Sequence, residues 1–97
     1  MGEVRLPAPV KATIVPDIDA ADVPPGAIEI RSRNDEVWGM AVTCPCGCGL
    51  RSYLPVKKEH DGWEWDGNLE APTLSPSIFH RPKHWHGYLK AGVWEQA

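Results

Sequence analysis

The chain has 97 residues, of which 42% are hydrophobic and 24% are charged, and its formal net charge at pH 7 is −3. A chain of this length predicts one domain with a small core, which a metal, disulfides or a partner often has to stabilise. The negative charge disfavours a general attraction to nucleic acid. Because the first residues lack the features of a secretory signal and no run of about 18 apolar residues exists, we expect a cytoplasmic protein without a membrane span.

Residues 1–26 form the first predicted segment, a proline-rich extended arm. Five of the ten prolines lie here, and the segment ends in Pro24-Pro25-Gly26 without a sustained helical or strand period. A short apolar patch, Val10 to Val15, is typical of an edge strand that is added either to the domain itself or to a partner. Packing against its own domain is the favoured alternative.

From Ala27 onward the sequence alternates short β-type segments with turns. The segments read AIEIRS, VWGMAVT, LRSYLPV, TLSPSIF, HWHGYLK and GVW. No stretch of about 11 residues has an amphipathic helical period free of proline and glycine. We therefore predict that residues 27–97 form a mainly β domain, a small antiparallel sheet or sandwich stapled by one zinc site. An exposed edge strand in so small a sheet also makes a homodimer an alternative to a monomer.

All three cysteines fall within five consecutive positions, at Cys44, Cys46 and Cys48. Thiols one residue apart are poorly placed to pair with each other, and a reducing compartment favours metal binding over disulfides. The proline and glycines between them let the backbone turn sharply, so that amides can point at sulfur as in zinc-binding knuckles. The spacing therefore predicts a metal-binding loop.

Histidines supply the fourth ligand that a structural zinc site requires. His84 and His86 are separated by one residue in a predicted strand, so both side chains should face the same side. The favoured set is Cys44, Cys46, Cys48 and His86, with His84 as the alternate to one of the thiols. Zinc is the expected ion and iron the second choice. Because three thiolates make the ion a weak Lewis acid, a structural role is favoured over a catalytic one.

No catalytic residue is assigned from the sequence. Glu64 and Asp66 would be the neighbouring acids if the metal kept an open position for water. Ser75 and Ser77 lie near histidines, but nothing that resembles a nucleophile elbow surrounds them.

A candidate binding surface is predicted around the WEWDGN and PTLSPS stretches. Tryptophans in a chain this short mainly pack the core, but exposed ones can serve as a stacking platform, and hydroxyls at alternate positions can line a polar groove. The candidate surface residues are Trp63, Trp65, Asp66, Asn68, Thr73, Ser75 and Trp85.

Three stretches, CPCGCG with LRSYLPV, WEWDGNLEAPTLSPSI and HWHGYLKAGVWE, resemble a family of small phage and prophage zinc-binding proteins of unknown function. The resemblance covers about Pro25 to Glu95. It implies a small zinc-bound β domain, encoded by a mobile element and present in the cytoplasm of a bacterial host. Family members often carry a cysteine next to or within the histidine strand. Residues 83–86 contain none, which leaves histidine as the remaining ligand.

Three functions follow as alternatives. The first is a zinc-stapled module with an accessory or host-interaction role, which acts through contacts with an unknown protein partner. The second is a small metal-dependent, hydrolase-like enzyme with an open zinc position. The third is binding of single-stranded nucleic acid through the basic and aromatic residues of positions 81–90, which the overall acidity disfavours.

Overall fold

A computed structural model of the chain describes residues 8–56, 62–80 and 84–97. Within these ranges the regular elements are all β-strands. They are β1 (Val10–Lys11), β2 (Thr13–Ile14), β3 (Ala27–Arg33), β4 (Glu36–Thr43), β5 (Arg51–Pro55), β6 (Glu64–Trp65), β7 (Leu74–His80), β8 (Trp85–Lys90) and β9 (Val93–Gln96). No helix long and apolar enough to cross a membrane is present in the described residues.

The strands form two sheets. Sheet A has the order β1-β9-β8-β7-β6, and sheet B has the order β2-β3-β4-β5. All neighbours are antiparallel except β2 and β3, which run parallel. The prediction of a small all-β domain is confirmed.

The apolar patch of the N-terminal arm pairs with the rest of its own chain. Val10 lies opposite Trp94 in sheet A, and three residues later Thr13 lies opposite Ala27 in sheet B. The arm therefore contributes one edge strand to each sheet and connects the two sheets.

The core fills the space between the two sheets, because alternate residues of each strand point inward. Its buried members are Ile28, Met40, Val42, Cys44, Leu54, Leu74, Ile78, Trp85, Leu89 and Trp94. Trp85 and Trp94 meet edge to face with ring centroids 5.7 Å apart, and each ring of this size removes about 150–250 Å² from water. Trp85 is 0% exposed, so its place on the predicted binding surface is corrected: its position on β8 points into the core.

The ladder between β7 and β8 is interrupted in its middle. Leu74 lies opposite Leu89 and Ile78 opposite Gly87, so four steps along β7 match two steps along β8. Two extra residues of β7 are therefore accommodated by a bulge that contains Ser75, Pro76 and Ser77. Proline suits this place because it has no N–H to donate to a ladder.

Candidate functional site

The three thiols lie in the tight loop that connects β4 to β5. The Cys44 N–H donates to the Leu50 carbonyl at 2.8 Å, and the Gly47 N–H donates to the Cys44 carbonyl at 3.1 Å. Gly47 and Gly49 have φ angles of +87° and +84°, a left-handed conformation that favours glycine. These turns are the reason that glycine alternates with cysteine in this loop.

His84 completes a four-residue cluster with these thiols. Its Nε2 lies 3.3 Å from the Cys46 Sγ and 3.5 Å from the Cys48 Sγ, and the Sγ atoms of Cys44 and Cys46 are 3.3 Å apart. All four potential ligand atoms lie within 4.8 Å of one another. Ligand atoms of a tetrahedral zinc–thiolate site are separated by about 3.7 Å, given zinc–sulfur bonds of about 2.3 Å. The cluster therefore has the donor atoms and the size to hold one metal ion.

The thiols differ in how easily they ionise. Burial raises the pKa of Cys44 to about 12, because a thiolate there would be removed from water. Burial also opposes ionisation of Cys48, but hydrogen bonds from the Leu50 backbone, from Cys46 and from Cys44 outweigh it, so its pKa is lowered. An exposed, more acidic thiol thus sits at the surface of the loop, while Cys44 needs a nearby cation to become a ligand.

His86, the histidine favoured from the sequence, is not part of this cluster. The strand β8 begins at Trp85, so His84 lies in the preceding turn and the two rings do not share one face as the spacing predicted. The His86 ring instead stacks on Phe79, with centroids 4.0 Å apart and planes 5° apart. Its Nε2 is buried and has no hydrogen-bond partner in the part of the chain that the structure describes.

His80 is a buried histidine whose environment the sequence did not indicate. It is 0% exposed, its Nδ1 lies 3.4 Å from the Ser52 Oγ, and its ring meets Trp85 and Trp94 edge to face. Burial lowers the pKa of His80 to about 4, with a further contribution from the charge of His84. The ring is therefore neutral at pH 7. Spacing could not reveal this role, because the pairing with Ser52 crosses between the two sheets.

The two tryptophans of the WEWDGN stretch are half-buried, and the indole N–H of each donates a hydrogen bond to a backbone carbonyl. The Trp63 indole N–H donates to the Ser77 carbonyl at 3.2 Å, and that of Trp65 donates to the Asn68 carbonyl at 3.0 Å. Both rings also pack against the buried core.

The polar residues between β6 and β7 hold a turn in place. Asp66 and Asn68 accept hydrogen bonds from nearby backbone amides, and the Thr73 hydroxyl accepts one from the Ala91 N–H at 2.8 Å. Ser75 is exposed. The predicted surface residues of this region other than Trp85 therefore lie together at the β6–β7 edge.

Further side chains share the outer face of sheet A, the face opposite the core. Phe79 lies opposite His86, and Tyr88 lies opposite Glu95. Ser77 stands on the same face, one residue before the inward-pointing Ile78.

Arg81 and Lys83, which the sequence assigned to a nucleic-acid surface, lie outside the described residues.

A model of the BubE family, described as bacterial ubiquitination-like system serine protease, matches residues 14–97. The chain therefore belongs to this family. No similar protein was found among curated proteins, and none among solved structures.

Proposed function

We propose that this BubE family member is a serine-type peptidase of a bacterial ubiquitination-like system, with Ser77 as its nucleophile. The family description supports a serine peptidase. The chain contains four serines, at positions 32, 52, 75 and 77, so few nucleophiles have to be considered. The assignment rests on one observation: Ser77, His86 and Glu95 lie on the same face of the adjacent strands β7, β8 and β9.

Ser52 is the serine with a histidine already at hydrogen-bond distance, but its surroundings suit a structural role. Its partner His80 is fully enclosed between the sheets, and the pKa of about 4 makes that ring a weak base. A peptide bond cannot reach a ring at this depth without opening the core. We therefore assign the Ser52–His80 pair to the core.

Ser77 lies on the accessible outer face and next to the interrupted ladder. Phe79 faces His86 across β7 and β8, and Ser77 lies two residues before Phe79 on the same face of β7, at the border of the bulge. Glu95 faces Tyr88 across β8 and β9, so it is the diagonal neighbour of His86 on the other side. Diagonal neighbours have Cα atoms about 7–8 Å apart, within reach of long side chains. Bulges often re-aim a side chain next to an active site.

The proposed reaction uses these side chains as nucleophile, base and orienting acid. The Ser77 Oγ attacks the carbonyl carbon of the scissile amide as His86 takes the hydroxyl proton, and His86 then gives this proton to the leaving amine as the C–N bond breaks. The oxygen of a water molecule then attacks the acyl carbon as His86 takes one of the water's protons. The bond between the acyl carbon and the Ser77 Oγ breaks, and His86 gives that proton to the Oγ. Glu95 stabilises the imidazolium. The His86 ring has to turn from Phe79 toward Ser77, as catalytic hydrogen bonds often tighten only with substrate bound.

The cysteine cluster has a structural role in this proposal, and zinc is the ion that suits its donors best. Cys44, Cys46, Cys48 and His84 would hold the ion, which would then cross-link the β4–β5 loop to the turn before β8. Three thiolates and one imidazole are the donor set of a structural zinc site, in which protein ligands would take every position. This arrangement disfavours a metal-dependent hydrolase.

A fluorophosphonate probe that labels activated serines tests the proposal. We expect one probe per chain on Ser77, identified by mass spectrometry of peptides. Labelling should be lost in Ser77→Ala and His86→Ala, and retained in the matched controls Ser75→Ala and Ser52→Ala. Thermal unfolding of each variant separates loss of labelling from loss of the fold. Labelling that survives Ser77→Ala, or that is lost in Ser52→Ala with the fold intact, would refute the assignment.

A further inference from the structure

The connection between β6 and β7 forms a rigid loop, residues 66–73, which we name the Leu69 loop. The Asp66 Oδ1 accepts hydrogen bonds from the N–H groups of Asn68 at 3.0 Å and Thr73 at 3.2 Å. The Asn68 Oδ1 accepts hydrogen bonds from the N–H groups of Glu70 and Ala71, both at 2.8 Å. Four backbone amides are thus held by two side chains, which limits the conformational freedom of the loop.

The rigid loop presents an apolar side chain to solvent. Leu69 is 52% exposed, and the Trp65 indole N–H, bonded to the Asn68 carbonyl, holds the half-buried ring beside the loop. Because the backbone is already ordered, a partner that covers Leu69 gains the burial of its side chain without a large ordering cost. A preorganised apolar tip of this kind is suited to an apolar pocket.

Acidic side chains surround this tip. Glu64, Asp66 and Glu70 are all exposed, at the end of β6 and within the loop. Lys90, on β8, lies over the Tyr88 ring at 5.1 Å from its centroid. The charges next to Leu69 are therefore negative, and a complementary partner carries basic side chains around its pocket.

The loop also lies close to the proposed nucleophile. Trp65 pairs with Leu74, so the loop leaves sheet A where β7 begins. Ser77 is three residues farther along β7, a distance below the about 10 Å that a regular strand spans at about 3.3 Å per residue, because the bulge shortens this part of β7. A protein bound to the loop can therefore place a terminal extension of its own chain over Ser77.

We infer that the Leu69 loop is a docking surface for the folded protein substrate, which offers an apolar pocket rimmed by basic side chains. This inference rests on the proposed peptidase function, since the bound partner is the molecule that is cleaved. Leu69 fills the pocket, and Glu64 and Glu70 face the basic rim. Residues near Ser77 then act on the extended tail, so docking and cleavage use separate parts of sheet A.

Kinetics with two substrates test this inference. One substrate is the folded ubiquitin-like protein of the same system with a short C-terminal extension, and the other is a peptide with the sequence around its scissile bond. For Leu69→Ala we expect KM for the folded protein to rise about tenfold, the equivalent of about 1.4 kcal/mol, with unchanged kcat. Kinetics with the peptide should not change. Glu70→Lys and added salt should also raise KM for the folded protein.

Tyr53→Ala is the matched control, because Tyr53 is 51% exposed on sheet B, away from the loop. If Leu69→Ala cleaves both substrates with an unchanged KM for the folded protein, the inferred docking surface is wrong, and the proposed peptidase function stands. Cleavage of neither substrate by the parent would instead refute the peptidase. Binding of the folded substrate to the Ser77→Ala variant can be measured by calorimetry without turnover. If adding Leu69→Ala to this variant leaves the affinity unchanged, the inference is also wrong.

Discussion

The buried His80 should make the stability of the protein depend on pH in a defined window. Burial lowers the pKa of His80 from 6.5 to about 4. Between these values the unfolded chain binds a proton that the folded chain does not. The contribution of His80 to the free energy of unfolding is therefore fully present above pH 6.5 and is lost as the pH falls toward 4.

The size of this effect follows from the pKa difference. A pKa unit corresponds to about 1.36 kcal/mol, so lowering the pKa from 6.5 to about 4 gives a maximum of about 3 kcal/mol. At pH 4.5 most of this should already be lost. For a domain whose total stability is about 5–15 kcal/mol, such a loss is large enough to measure.

Urea unfolding of the parent and of His80→Leu at a series of pH values measures this effect. Leucine has a similar volume; it removes the buried Nε2, which has no hydrogen-bond partner among the described residues, and also the Nδ1 contact with the Ser52 Oγ. We expect the two proteins to differ by less than about 1.5 kcal/mol at pH 7. By pH 4.5 the difference in the free energy of unfolding should shift by about 2–3 kcal/mol in favour of the leucine variant. Protonation of the three thiols affects both proteins and cancels in the comparison. A difference that stays constant from pH 7 to 4.5 would refute the reasoning.

Three further predictions concern the metal cluster, the strand β8 and the core. His84→Ala should reduce the zinc content of protein loaded with zinc to well below one ion per chain, whereas His86→Ala should retain it. Elemental analysis decides between the two ligand sets, and zinc loss in His86→Ala alone would contradict the structure. Gly87→Ala should destabilise the domain by about 3 kcal/mol or more, since a Cβ there would meet the Glu95 carbonyl at an impossibly short distance. The control Gly67→Ala, which meets nothing within 4 Å, should cost only about 1 kcal/mol for its positive φ, as measured by urea unfolding. Trp94→Phe should lower the free energy of unfolding by about 2–4 kcal/mol in the same assay, because it removes packing and leaves the carbonyl acceptor of the indole N–H unpaired. A loss below about 1 kcal/mol would show that the core relaxes around the smaller ring.

Several parts of the fold could be predicted because local chemistry determines them. Prolines, glycines and short alternating segments exclude long helices, so the all-β class followed from the sequence. The cysteine loop was equally clear, since three thiols separated by proline and glycine point to one tight turn. These features depend on neighbouring residues alone.

The histidine ligand was a different problem, because it depends on where a strand begins. The spacing of His84 and His86 predicted a shared face, which requires both residues to lie in one extended strand. The structure begins β8 between them, so His84 turns toward the thiols and His86 stays on the outer face of sheet A. Strand ends are set by packing and by the connecting loop, and a short stretch of sequence contains little information about either.

The sequence by itself thus determined the β class, the tight cysteine loop and the donor types of a metal site, because each depends on residues close together in the chain. Only the tertiary structure decided which histidine joins the thiols. It also decided that Trp85 and His80 are buried, and that Ser77 and His86 lie on one face. These features depend on strand register and on the approach of two sheets, where residues far apart in sequence become neighbours, and no local pattern specifies such pairings.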